Sequence, residues 1–133
     1  MASYDNLPVY KSAYDLLLYV FQIGHNMQRD YRYTLGENLK KELISVLSLI
    51  YKANTVTHKA DVISEAREKI VIVKLHLRLL CDLKQISIKA YANSSEMVET
   101  VSKQLAAWHK SQLPSEKTKE KDKTGSKSSE QEL

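Results

Sequence analysis

At 133 residues the chain has length for one core and not for two. With 43% hydrophobic residues, three Gly and two Pro, it lacks the turn residues a β protein needs about every ten residues, which leaves long helices. The net charge of +4 lies wholly in residues 1–112, because the five Lys and five acidic residues of 113–133 cancel; this mild excess suits a polyanion or an acidic partner without requiring one.

A first helix is predicted over 8–27. Pro8 falls near the first-turn position, where its missing N–H costs nothing, and Tyr10, Tyr14, Leu17, Leu18 and Phe21 recur at helical spacing as the expected inward stripe. A polar and aromatic loop follows over 28–33, in which Tyr31 and Tyr33 are free to stack on nucleobases. Thr34 and Glu37 have capping-box spacing, so a second helix is expected from there to about Ala53, with Leu39, Leu43, Val46, Leu47 and Ile50 inward. A third helix spans roughly 59–84. The fourth covers about 88–112 behind Ser87 as N-cap, with Ile88, Tyr91, Val98, Val101, Leu105 and Trp108 as its stripe; Asn93, Ser94 and Ser95 form a weak stretch where it can kink. Short connections between four long amphipathic helices predict an all-α fold, an antiparallel up-down-up-down four-helix bundle over 1–112. Residues 113–133, with one Gly and no aromatic side chain, read as a disordered polar tail.

The third helix is apolar on two sides. Val62, Ala66, Ile70, Val73, Leu77 and Leu80 share one face; Ile72, Leu75, Leu79 and Leu83 form a second row. Such a helix is buried twice, either wedged centrally in its own bundle or packed against another copy. The expectation is a homo-oligomer interface, and periodicity alone does not say which row faces the core. Between the rows run Arg67, Lys74 and Arg78, with Lys84 beyond them. Lys74 and Arg78 stand one i to i+4 step apart, and Asp82, four residues after Arg78, offsets part of the charge. The ridge reads either as a solvated face with snorkelling stems or as a basic stripe that an oligomer repeats into a phosphate-binding surface.

Catalytic patterns are missing. Di-iron bundles need Glu-x-x-His pairs on two helices, and His25, His58, His76 and His109 are scattered instead, so neither metal nor cofactor is expected. There is no Gly-rich phosphate loop, and Cys81 has no nearby His to activate it, so the chain is not expected to be an enzyme. A lone cysteine and an N-terminus without a secretory pattern place it in the cytoplasm, and no run of about 18 apolar residues marks a membrane span.

Four segments carry a family resemblance: YDNLPVYK at 4–11, YTLGENLK at 33–40, KLHLR at 74–78 and KQLAAW at 103–108. In order and spacing, over roughly residues 4–111, they resemble the accessory variability determinant proteins of diversity-generating retroelements. Those proteins are grouped with the four-helix proteins encoded in 23S ribosomal RNA intervening sequences. The resemblance implies a barrel-shaped homopentamer with a basic surface. Such an assembly would bind template RNA, with DNA as a second polyanion, and associate with a reverse transcriptase during mutagenic copying. The family's pair of cations one turn apart on the third helix falls on Lys74 and Arg78. A ribosomal-RNA-associated bundle and a purely structural oligomer are the alternative readings, since the fold alone does not select a role.

Overall fold

The structure, a computed structural model, describes residues 3–114. The predicted tail lies outside these residues except for the exposed Leu113 and Pro114. Four long helices dominate: α1 (Pro8–Ile23), α2 (Glu37–Thr55), α3 (Ala60–Asp82) and α4 (Ile88–Ser111). The main packing runs around a ring, α1 against α2 and α4, and α3 against α2 and α4. With short connections this is the antiparallel up-down-up-down bundle that the sequence predicted.

Each helix gives one stripe to a common core. Leu16 and Val20 of α1, Leu39, Leu43 and Ile50 of α2, Ile70, Leu77 and Leu80 of α3, and Leu105 of α4 are almost fully enclosed. Burial of each such side chain stabilises the fold by about 1.5–3 kcal/mol before ordering entropy is subtracted. On α3 the core row is Ile63, Ala66, Ile70, Val73, Leu77 and Leu80. Of the expected row only Val62 departs; it is half-buried, and Ile63 takes the enclosed place.

The inward stripe of α1 differs from expectation. Val9, Ala13, Leu16 and Val20 are buried, whereas Tyr14, Leu18 and Phe21 are 46%, 46% and 48% exposed. Tyr10 and Leu17 are half-buried at the edge of the core. Helices 8–10 Å apart accept small and aliphatic side chains at the contact. The rings are therefore displaced to the side of α1 that adjoins α2, where Tyr10 meets Tyr4 edge-on at 5.1 Å and stacks on Tyr14 at 6.4 Å.

The α1–α2 connection also differs. Helical backbone begins at Arg29, with an α turn over Arg29–Tyr31 and a π turn over Arg32–Gly36 that runs directly into α2. Thr34 is therefore inside the helical run, its hydroxyl donating to the Asp30 carbonyl at 2.6 Å, and it does not cap α2. The start of the run is held from outside. The Gln28 N–H donates to Gln85 Oε1 at 2.8 Å, and Arg32 Nη2 donates to the carbonyls of His25 at 2.7 Å and Met27 at 3.3 Å. Gly36 suits the π turn, since a Cβ there would lie 3.3 Å from both Met27 Sδ and the Tyr31 carbonyl oxygen. Tyr31 is half-buried and Tyr33 exposed, both on helical backbone rather than in a loop.

The α3–α4 turn closes the same end of the bundle. Gln85 N–H reaches the Leu80 carbonyl at 2.8 Å and Lys84 N–H the Cys81 carbonyl at 3.0 Å, a Schellman pattern. It places Lys84 at φ 61°, where glycine is usual. Ser87 caps α4 as predicted, its hydroxyl accepting the Ala90 N–H at 3.0 Å. α4 stays α-helical through Asn93–Ser95, with Ser94 buried and bonded to the Tyr91 carbonyl at 3.0 Å. Ile88, expected on the stripe, is the first helical residue and is 81% exposed.

Candidate nucleic-acid interface

Because α3 and α4 run antiparallel, the cations on the α4 side of α3 meet residues of α4 in descending order. Arg67 Nη1 lies 3.3 Å from His109 Nδ1, Lys74 Nζ 2.8 Å from Glu99 Oε1, and Arg78 beside Tyr91. The structure thus brings Arg67, Lys74 and Arg78 onto one seam. Lys84 is set apart, exposed in the turn beyond α3. A cleft of about 190 Å³ opens along the seam, lined by Lys74, Leu77, Tyr91, Ser95, Val98 and Glu99.

Two of these cations carry carboxylate partners. Arg78 Nε contacts both oxygens of Asp82, at 3.2 and 3.1 Å, the pairing anticipated from their four-residue step. The Lys74–Glu99 pair is new, because it joins two helices whose relative register the sequence does not state. Both pairs are exposed. Water and salt screen such pairs, so a stronger anion such as a phosphate can replace the carboxylate at little cost.

The hydrogen bond from Lys74, and then its charge, hold the Glu99 carboxyl below its ordinary 4.5; Lys103 adds a smaller pull in the same direction. A depressed folded-state value means the pair's contribution is present above the unfolded-state pKa and fades as pH falls through the folded one. Titration followed by carboxyl NMR is expected to show the Glu99 midpoint below that of an ordinary glutamate, and Lys74→Ala to return it upward. An unchanged midpoint in that variant would remove the pair from the site.

The predicted interface residues stand outside the bundle. Ile72, Leu75, Leu79 and Leu83 are all exposed on the outward side of α3, Leu75 by 58%, and Val71, which the sequence reading left out, by 63%. On α4, Tyr91 was expected on the inward stripe and His109 among scattered histidines, and neither they nor Glu99 and Lys103 were placed beside the cations. A helical net for α4 aligned antiparallel to α3 is the signal that finds them. Among the described residues no group of three or more His, Cys, Asp or Glu is placed to hold a metal ion, and no helix is long and apolar enough to cross a membrane.

A family model described as bAvd-like matches residues 8–112, well over half of the chain. No curated protein matches it.

Proposed function

Since the chain belongs to the bAvd-like family, that of the accessory variability determinants of diversity-generating retroelements, we propose that it is a non-catalytic, RNA-binding accessory protein that supports a reverse transcriptase during mutagenic copying. The family match carries this reading. In it, the protein acts in the cytoplasm as a homo-oligomer, a pentamer by resemblance, whose repeated α3–α4 seams hold the phosphate backbone of template RNA or of an RNA already bound by the enzyme.

The seam supports this by its chemistry. Arg67, Lys74 and Arg78 project from one side of a helix, and the exposed carboxylates beside two of them are exchangeable partners. Over the whole chain the charge is only +4, too little to grip RNA at a distance; repetition around an assembly multiplies it where the strand lies. Contacts of this kind fix position and carry no base information, as an accessory acting on varied templates requires. DNA presents the same phosphates, and the 2′-hydroxyl is what a site must read to prefer RNA.

The test is binding of labelled template RNA by fluorescence anisotropy across salt concentrations, with retention of the reverse transcriptase on immobilised protein. Binding is expected to weaken linearly on a log–log plot, with a slope of roughly −0.7 per phosphate neutralised on a single strand. Absence of both RNA binding at about 50 mM salt and enzyme retention would overturn the proposal.

A further inference from the structure

Arg67 differs from its two neighbours on the seam in what holds it. Lys74 and Arg78 face the carboxylates of Glu99 and Asp82, whereas Arg67 Nη1 faces the ring nitrogen Nδ1 of His109 at 3.3 Å. Among the described residues, neither Arg67 nor His109 has an acidic side chain within ion-pair reach. Arg67 is exposed, and His109 is half-buried in the last turn of α4, at the end of the bundle where α3 begins.

This contact fixes the protonation state of the ring. A guanidinium stays charged and only donates, so Nδ1 must offer a lone pair; the imidazole is neutral, with its proton on Nε2. A proton on Nδ1 would set two positive charges and two N–H donors against each other. Lys110, next in the chain, and Lys103, less than two turns earlier on α4, add to the repulsion. Glu68 follows Arg67 on α3, and Asp5 and Lys11 stand at the start of α1, the other helix packed on α4; neither acid pairs with the ring. Only the helix end favours a charged ring, because the free carbonyls of the last turn of α4 stabilise a cation.

A phosphate oxygen between the two side chains resolves the conflict. It accepts from Arg67 Nη1–H and from the Nδ1–H of a protonated His109 together. At Lys74 and Arg78 the same oxygen must displace a carboxylate, and at Arg67 it displaces a neutral nitrogen.

We infer that Arg67 and His109 form a phosphate site that takes up a proton as it fills, the proton passing from water to His109 Nδ1. The inference rests on the RNA binding in the proposed function and adds a second cation at the Arg67 end of each seam. Linkage sets its sign. Phosphate favours the protonated ring, so affinity rises as pH falls through the range where imidazoles titrate, about pH 8 to 5. The gain levels off once the free protein is itself protonated there.

Oligouridine is the probe, because uracil gains no proton over this range, and Glu99, held below its ordinary value, keeps the Lys74 pair ionised. By fluorescence anisotropy at about 0.1 M salt, the parent is expected to bind roughly fivefold tighter at about pH 5.5 than at about pH 8. That is the effect of one more cation on a single-strand phosphate, and the salt slope should steepen by roughly 0.7. His109→Gln keeps an acceptor for Arg67 and cannot gain a proton. With its fold checked by circular dichroism and Tm at both pH values, it is expected to show neither change. Imidazole NMR on the parent reads the proton directly and needs no variant. Oligouridine should raise the titration midpoint of His109 more than that of His76, whose Nδ1 meets the Ile72 carbonyl at 2.9 Å, or of His25 in the turn after α1. If the parent does not tighten, if His109→Gln tightens as the parent does, or if the His109 midpoint stays in place, the proton-linked site is overturned while RNA binding stands. A parent that binds no oligouridine at about 50 mM salt at either pH overturns the RNA-binding reading itself.

Discussion

Leu77→Ala is expected to cost the fold about 2–5 kcal/mol, whereas Leu79→Ala, two residues along the same helix, costs about 0.5 kcal/mol or less in the isolated monomer. Leu77 is 1% exposed in the core and Leu79 is 38% exposed on the outward side of α3. Removing the first leaves a cavity that the neighbouring helices fill only in part. Removing the second uncovers nothing inside the bundle. Urea unfolding at several protein concentrations separates the two effects, since stability gained from assembly depends on concentration and stability from the core does not. Leu77→Ala should lower the midpoint at every concentration, and Leu79→Ala only where the protein is assembled. If Leu79→Ala is as damaging as Leu77→Ala at high dilution, the outer row belongs to the core and no interface is needed to explain it.

That contrast shows where the sequence was legible. The number of helices, their approximate extents and the Ser87 cap follow from local spacing, because helical period and capping are properties of adjacent residues. Which of two apolar rows turns inward is not local. On α3 two rows were visible and their assignment waited on the fold. On α1 the aromatic row drew the reading outward, since Tyr14 and Phe21 look more core-like than Ala13 and Val9, yet the close approach of neighbouring helices selects the smaller side chains. Thr34 and Glu37 had capping spacing without capping geometry. A tertiary clamp from Gln85, 57 residues from Gln28 in sequence, holds the start of the helical run, and a four-residue pattern carries no trace of it. The candidate site divides in the same way. Arg67, Lys74 and Arg78 were legible because they share one helix, while Glu99 and His109 entered only with the antiparallel register of α4.

The double variant Lys74→Ala/Arg78→Ala is expected to lose most of its RNA affinity while keeping its fold and mass. Both side chains are exposed, and their carboxylate partners stay in water when they are removed, so no buried charge is orphaned. Each cation that neutralises a phosphate contributes roughly 0.7–0.9 to the salt slope, so the slope should fall by about 1.4–1.8 for each protomer in contact. At about 0.1 M salt each lost contact weakens binding by roughly five- to eightfold, equally for unrelated sequences. Two controls separate charge from shape. Lys74→Arg/Arg78→Lys preserves the charge and should keep the slope, and Glu99→Gln frees Lys74 from its 2.8 Å partner and should strengthen binding. A folded double variant that binds RNA and retains the reverse transcriptase like the parent would reduce the ridge to a solvated face.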